Sequence, residues 1–480
     1  MVLKTDFRFT VLQELIIVTS LLVINVVLKS IYIGAQEIAL DEPFTIFNAQ
    51  KPIGDLIDHL KLHNNPPLFE ILLHYWIQWF GIDPVSVRFP SMIFSSLAAV
   101  VIYFLGKHSW NSMAGIVASI LFTFSTFNIY FSHEARAYPL FTLASCTAML
   151  TFMKWSEKPQ SISFAIMYFV SAIILIYSHY FGFFVLFAQG IWFLFFLKKL
   201  RRHWVIFLIS IFALVLAYLP QLFVMAERFA DASGTHWVGL AGFPVLYHVL
   251  AKLCNAPVPA IGFMLIIAAG GIYYFVNLSR NYRAEHVLLI LWFPVMYVLP
   301  WLIGLKIPMF LDRYMVFVSP ALYILLGGIC FGVAPRKSAL VFAVACVIAM
   351  IASVNLNPGH GRKWKDLVDF VKKEKTTGTV AYFIPHWVDL GFIYHYNLSY
   401  FKDYEHARDL MKSENFIRLR NVNDENLLKL DQVEKVILME MGSEFVDPKG
   451  LVAATLRQQF PVVKEYPDIH PPGKISVYSR

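Results

Sequence analysis

Apolar residues fill this chain in long unbroken runs set apart by short polar breaks. They show neither the alternation of a half-buried strand nor the every-third-or-fourth stripe of a soluble helix. The runs lie near 11–33, 89–107, 113–131, 137–154, 163–179, 183–198, 204–223, 259–277, 286–304, 314–333 and 338–354. Each is about the 17–25 residues a helix needs to cross the hydrocarbon core of a bilayer. The pattern predicts a polytopic α-helical membrane protein with about eleven transmembrane helices. In the first long loop, 34–88, the amphipathic stretches Gly54–Leu62 and Leu68–Trp76 are too short to span. They predict helices lying in the interface, with Trp76 and Trp79 at headgroup depth. A second long loop, Gln221–Pro259, is rich in Gly, Pro and Ala. Its segment Ala-Ser-Gly-Thr-His-Trp, 232–237, reads as a mobile flap over a site.

After Asn355 the pattern becomes that of a soluble domain. Lys365–Lys375 has helical periodicity, and Gly378–Ile384, Val433–Met439 and Lys474–Tyr478 read as strands, so a small α/β domain is predicted. The expected division is a transmembrane catalytic domain, 1–355, and a soluble exterior domain, 356–480.

Composition agrees: 58% of residues are hydrophobic and 15% charged, against roughly 45–50% and ~25% in soluble domains. The net charge of +8 would suggest nucleic acid, but its placement argues otherwise. With the N-terminus in the cytoplasm, the cytoplasmic connections hold Lys107, Lys154, Lys158, Lys198 to Arg202, Arg280, Arg283, Arg336 and Lys337, as the positive-inside rule requires. Topology accounts for much of that charge, and no nucleic-acid partner is expected. The first run is too long for a signal-peptide core and reads as a retained anchor. Of the four cysteines, Cys146, Cys330 and Cys346 lie in spans and Cys254 in an exterior loop, which offers no disulfide framework or metal cluster.

The same topology count puts the chemically promising polar clusters on the exterior side. Asp41-Glu42 follows the first span; its carboxylates are either solvated at a helix exit or, held against Pro43–Phe47, desolvated enough for general-base work. His133-Glu134-Ala135-Arg136-Ala137-Tyr138 fills a short turn between two spans. Arg136 either snorkels to headgroups or pairs with Glu134, or it binds a phosphate while Glu134 completes a two-carboxylate site. His179-Tyr180 is an interfacial anchor or a site pair. Arg313, next to Asp312, forms a surface pair or, with Lys306, supplies exterior cations that topology does not call for.

The order of these motifs (Asp-Glu, Asn-Pro-Pro-Leu, Glu-Ala-Arg-x-Tyr, Ser-His-Tyr-Phe-Gly, Arg-Tyr) resembles the bacterial members of the protein O-mannosyltransferase-like membrane glycosyltransferases. This is a GT-C superfamily that includes the lipid A aminoarabinose transferase. The resemblance covers roughly residues 10–355. It implies a GT-C-like fold and transfer of a sugar from a polyprenyl-phosphate donor. Asp41 would then be the catalytic base, Glu42 its support and Glu134 the second acid. His133, Tyr138, His179 and Tyr180 are expected around the substrate. Relatives often carry His or Lys just before the Pro at position 66; here it is Asn65, an amide with no positive charge. Donor-phosphate binding must therefore lean on Arg136, Arg313, Lys306 or His63. No metal ligand set is predicted; a divalent metal could sit between Asp41 and Glu134, yet no motif demands one.

The residue types fit that reaction in their own right. Transfer from a lipid phosphate needs a base for the acceptor proton and cations for the departing phosphate, whereas hydrolysis of a glycoside usually needs a general acid as well. The expected enzyme is an inverting glycosyltransferase of the bacterial inner membrane, its site and C-terminal domain facing the periplasm. Its acceptor would be a protein, lipid A or another glycan. The alternatives are a flippase or transporter of lipid-linked sugars, against which the spans are nearly free of central charge and show no half-repeat, and a scaffold presenting the tail.

Overall fold

The structure, a computed structural model, describes all residues except 1–8, 62–64, 201–203, 232–237, 279–283, 335, 360, 362, 422, 425–426, 428–429, 431 and 471–472. His63 and the 232–237 segment thus lie outside the described residues. The chain divides into two compact units.

The first unit comprises Met1–Ile33, Ile57–Leu72 and Arg88–Pro358 and is helical. Among the described residues six helices are long and apolar enough to cross a membrane: Val11–Ser30, Pro84–Ser109, Trp204–Glu227, Pro257–Val276, Ala284–Gly304 and Asp312–Val333. The pair Ser112–Thr123 and Thr126–Ser132, bent by 63°, makes a seventh. Every predicted run falls on helix, but fewer than the expected eleven qualify as spans. Ile162–Ser178, Gly182–Phe195, Phe243–Leu253 and Ser338–Ser353 are shorter. At 1.5 Å per residue the 17 residues of Ile162–Ser178 cover about 25 Å, short of the ~30 Å core. Tyr138–Glu157, 20 residues long, is more polar, and its Thr142 and Ser145 hydroxyls donate back to the Tyr138 and Phe141 carbonyls.

Helices approach closely where side chains are smallest. A Cβ on Gly327 would lie 2.4 Å from the Ala114 carbonyl oxygen, and one on Gly115 would lie 2.3 Å from that of Tyr103. Association among lipid tails relies on such packing rather than on the hydrophobic effect. The bend at Phe124–Ser125 strands backbone groups that lipid cannot satisfy. Asn255 meets two of them: its side chain accepts from the Thr126 N–H at 2.7 Å and donates to the Phe124 carbonyl at 2.8 Å. Asn255 does so from a left-handed conformation, φ 66°, which Asn tolerates better than most residues. The second arm of the bend, Thr126–Ser132, leads straight into the turn carrying Glu134 and Arg136.

Lys29, in the first helix, is fully buried and donates to Asn25 Oδ1 at 2.8 Å and Ser95 Oγ at 2.9 Å, with Phe122 under its ammonium at 4.8 Å.

The second unit comprises Gly34–Leu56, Leu73–Val87 and Gly359–Arg480. Its core is a five-stranded sheet of order β2-β1-β3-β5-β4, with β1 Thr379–Ile384, β2 Phe416–Arg418, β3 Lys435–Glu440, β4 Val462–His470 and β5 Gly473–Ser479. β1 runs parallel to β2 and β3, while β5 is antiparallel to β3 and β4. β1 is buried along its whole length, as a parallel strand covered on both faces must be. Helix Trp364–Glu374 begins against the Glu37 carboxylate, which accepts from the Trp364 and Lys365 N–H groups, a stabilising place for negative charge. The amphipathic stretches of the first loop are helices, Ile53–Leu60 and Leu68–Phe80. Trp79 is exposed, whereas Trp76 is half-buried and donates to the Ser86 carbonyl at 2.9 Å.

Candidate active site

In the first unit, residues from four separate segments meet. The turn from His133 to Ala137 is closed by the Arg136 N–H donating to the Glu134 carbonyl at 2.8 Å, and Ser91 Oγ donates to the Arg136 carbonyl at 3.2 Å. His133, placed in the substrate set from the sequence, turns instead to the first helix, where its Nε2 bonds the Lys29 carbonyl at 2.6 Å. Glu134 and Arg136 are both buried, at 7% exposure.

The Arg136 guanidinium lies 5.8 Å from the Tyr138 ring centre. Tyr138 in turn lies 6.2 Å from His179 and 6.3 Å from Tyr314. His179, in the connection after helix Ile162–Ser178, stacks on Phe141 at 4.9 Å and meets Tyr314 at 5.0 Å. The Arg313 guanidinium lies over the Tyr314 ring, 5.8 Å from its centre. Both guanidinium groups bear electrostatically on His179. The Phe181 N–H donates to His179 Nδ1 at 3.1 Å, which puts the ring proton on Nε2. That Nε2–H is buried and has no acceptor. A buried donor without an acceptor, under the charge of two guanidinium groups, is what a bound oxyanion would satisfy.

Glu70, on the helix Leu68–Phe80, belongs to the same group although its motif gave no chemical signal. It is 3% exposed, its Oε2 has no hydrogen-bond partner, and burial raises its pKa while the charge of Arg136 opposes that rise. Lys252 was also missed: it pairs with Asp312, whose other oxygen accepts from the Arg313 N–H at 2.7 Å. Asp312 thus anchors the segment rather than forming a surface pair with the Arg313 side chain.

Tyr180, Lys306 and Asn65 were also expected around the substrate. The Tyr180 hydroxyl accepts from Gln221 Nε2 at 2.9 Å, facing the helix Trp204–Asp231. Lys306 is exposed, and no contact of its side chain with these residues is seen among the described residues. Asn65 is half-buried.

Asp41 and Glu42 belong to the second unit. Asp41 is the N-cap of helix Glu42–Ala49, half-buried, and its side chain does not cap the helix. Glu42 is 1% exposed. Leu40 before them has φ 56°, a left-handed conformation costing a residue with a Cβ about 1–2 kcal/mol. Neighbours over-determine this segment. His395 Nε2 bonds the Ile38 carbonyl at 2.9 Å, Gln50 Nε2 donates to the Phe401 carbonyl at 3.1 Å, and Phe47 meets Phe401 edge-on at 5.4 Å.

An apolar cleft of about 450 Å³ runs between the helices that begin at Tyr138, Ile162, Gly182 and Trp204; Trp155, Tyr168, Phe207, Leu214 and Tyr218 line it. Tyr218 packs on Tyr177 at 5.2 Å, two residues before His179. Among the described residues no group of three or more His, Cys, Asp or Glu side chains is gathered to hold a metal.

Residues 64–222 match the family described as dolichyl-phosphate-mannose-protein mannosyltransferase. The structure of ArnT from Cupriavidus metallidurans in the apo state aligns over 96% of this chain and 97% of its own, with a TM-score of 0.59 at 10% identity. The same protein bound to undecaprenyl phosphate aligns over 98% of both chains with a TM-score of 0.58, again at 10% identity. The chain has the fold of these ArnT structures. The archaeal oligosaccharyltransferase AglB of Archaeoglobus fulgidus, in complex with an inhibitory peptide and a dolichol-phosphate, shares it. There the alignment covers 98% of this chain and 74% of AglB, with a TM-score of 0.55 at 11% identity. A search of curated protein sequences finds no match. The resemblance read from the ordered motifs is borne out, and so is the fold class, a multi-pass helical GT-C-like protein with a C-terminal mixed α/β sheet.

Proposed function

We propose that this chain is a glycosyltransferase that moves a sugar from a polyprenyl-phosphate donor to an acceptor hydroxyl at the outer face of a bacterial cytoplasmic membrane. The observation that carries the reading is the buried, unpartnered His179 Nε2–H, which feels the charges of both Arg136 and Arg313. A phosphate there finds one neutral donor and two guanidinium groups already in place, at no cost of reorganisation. The lipid phosphates that the similar proteins hold, undecaprenyl phosphate in ArnT and dolichol-phosphate in AglB, support the same class. The apolar cleft ending at Tyr218 accepts the isoprenoid tail.

In this reaction the acceptor oxygen attacks the anomeric carbon as the carbon–oxygen bond to phosphate breaks, and the phosphate departs with the electron pair. Asp41 takes the acceptor proton, Glu42 supports it, Glu134 orients the sugar, and Arg136, Arg313 and His179 stabilise the departing phosphate. A single displacement inverts the anomeric centre. Mass spectrometry of lipid-linked sugars and envelope glycans, with and without the gene, tests the reading. Loss of one glycan together with build-up of its lipid donor is expected; unchanged profiles of both contradict it.

A further inference from the structure

The second unit holds a crevice that the transferase reading does not use. Its volume is about 630 Å³, and it lies at the carboxyl ends of β1 and β2, where His386 follows β1 and Arg420, Asn421, Asn423 and Asp424 follow β2. Open α/β sheets bind ligands at this end of their parallel strands. Among the described residues four cations line the crevice, Arg408, Lys412, Arg418 and Arg420, against two acids, Asp409 and Asp424.

Beneath them Asp389, 1% exposed, accepts from Arg408 Nε at 3.0 Å and pairs with Arg418 Nε at 2.7 Å. Arg418 Nε also donates to the His386 carbonyl at 3.0 Å. Both guanidinium groups are thus fixed through Nε alone. Among the described residues their terminal nitrogens make no hydrogen bond. Arg408, Arg418 and Arg420 all act on His386, so their charges are crowded together, with one buried carboxylate to offset them. Such a concentration of like charge is relieved by a bound anion, and held guanidinium forks suit phosphate oxygens.

We propose that this crevice binds a phosphorylated saccharide, the phosphate on the arginines and the sugar hydroxyls toward the Asn421 and Asn423 side chains that complete the lining. Pockets of this size take ligands of one or two rings. Arg408 also lies 5.7 Å from the ring of Phe47, on the helix whose N-cap position Asp41 holds.

The test uses the full chain in nanodiscs of zwitterionic lipid and reads binding by calorimetry, with glucose 1-phosphate and glucose as probes. It does not read sugar transfer, so its outcome is separate from that of the transferase reading. Saturable binding of glucose 1-phosphate but not glucose is expected, weakening as salt is raised. Lys412→Gln with Arg420→Gln, both exposed and neither bonded to Asp389, should weaken it about tenfold or more with an unchanged unfolding temperature. Displacement of the sugar phosphate by phosphatidic acid in the disc assigns a lipid-borne ligand, and no displacement a free one. Absence of saturable binding, equal binding of glucose, or full affinity in the double variant overturns the proposal.

Discussion

Replacing Arg136 by Gln separates what this side chain does for the fold from what it does for transfer. Arg136 is 7% exposed, and its charge opposes the pKa rise that burial imposes on Glu70. Taking that charge away leaves the ionised form of the buried Glu70 carboxyl less supported, a cost that falls once the carboxyl takes up a proton. Arg136→Gln alone should therefore lower the unfolding temperature. Arg136→Gln with Glu70→Gln removes both charges and should recover most of that loss. Transfer should not recover with it. Loss of one preorganised donor at a developing anion costs about 10²–10³ in kcat, and a neutral amide cannot replace the guanidinium. The assay is transfer from the host's extracted lipid-linked sugars by purified variants in detergent, beside thermal unfolding of the same samples. A double variant that regains both stability and transfer, or an Arg136→Gln enzyme within about threefold of the parent rate, would refute the assignment; a full loss of rate is about 3–4 kcal/mol of transition-state stabilisation.

Two further outcomes follow from the same geometry. Because the Glu70 pKa is raised above its ordinary value by burial, the folded state holds that proton to higher pH than the unfolded chain. Stability then falls as pH climbs from the ordinary carboxyl value through the raised one, and the penalty is fully present above it. Glu70→Gln should flatten that limb of the unfolding-temperature profile, and an unaltered profile would count against the burial argument. Leu214→Trp fills the apolar cleft and should raise KM for a long polyprenyl donor while sparing a short-chain analogue; equal effects on both would remove the tail from this cleft.

The sequence made the fold legible where the physics is collective and opaque where it is local. A hydrocarbon core demands long apolar runs, so every helical run was visible, but whether a run crosses depends on a few residues of length that composition does not mark. In the tail, the strand signals marked β1, β3 and β5, the interior of the sheet. β2 and β4 are its edges; β2 has three residues, and β4 carries Lys464, Glu465 and Pro467, the residues that edge strands tolerate. The cation group was legible as Arg136, Tyr138, His179 and Arg313 because motifs and topology put them on one side. Glu70 was not, since on an amphipathic stretch it looked like part of a wet face, and Asn255 was not, since nothing in the sequence announces a broken helix 130 residues earlier that needs its amide.

The most direct test is complementation of a deletion strain with Asp41→Asn, reading the lipid-linked sugar pool and the envelope glycan by mass spectrometry. At parental levels of membrane-inserted protein, the variant should leave the donor accumulated and the glycan absent, as in the deletion. A normal glycan and a normal donor pool would contradict the account, because Asp41 would then not be taking the acceptor's proton.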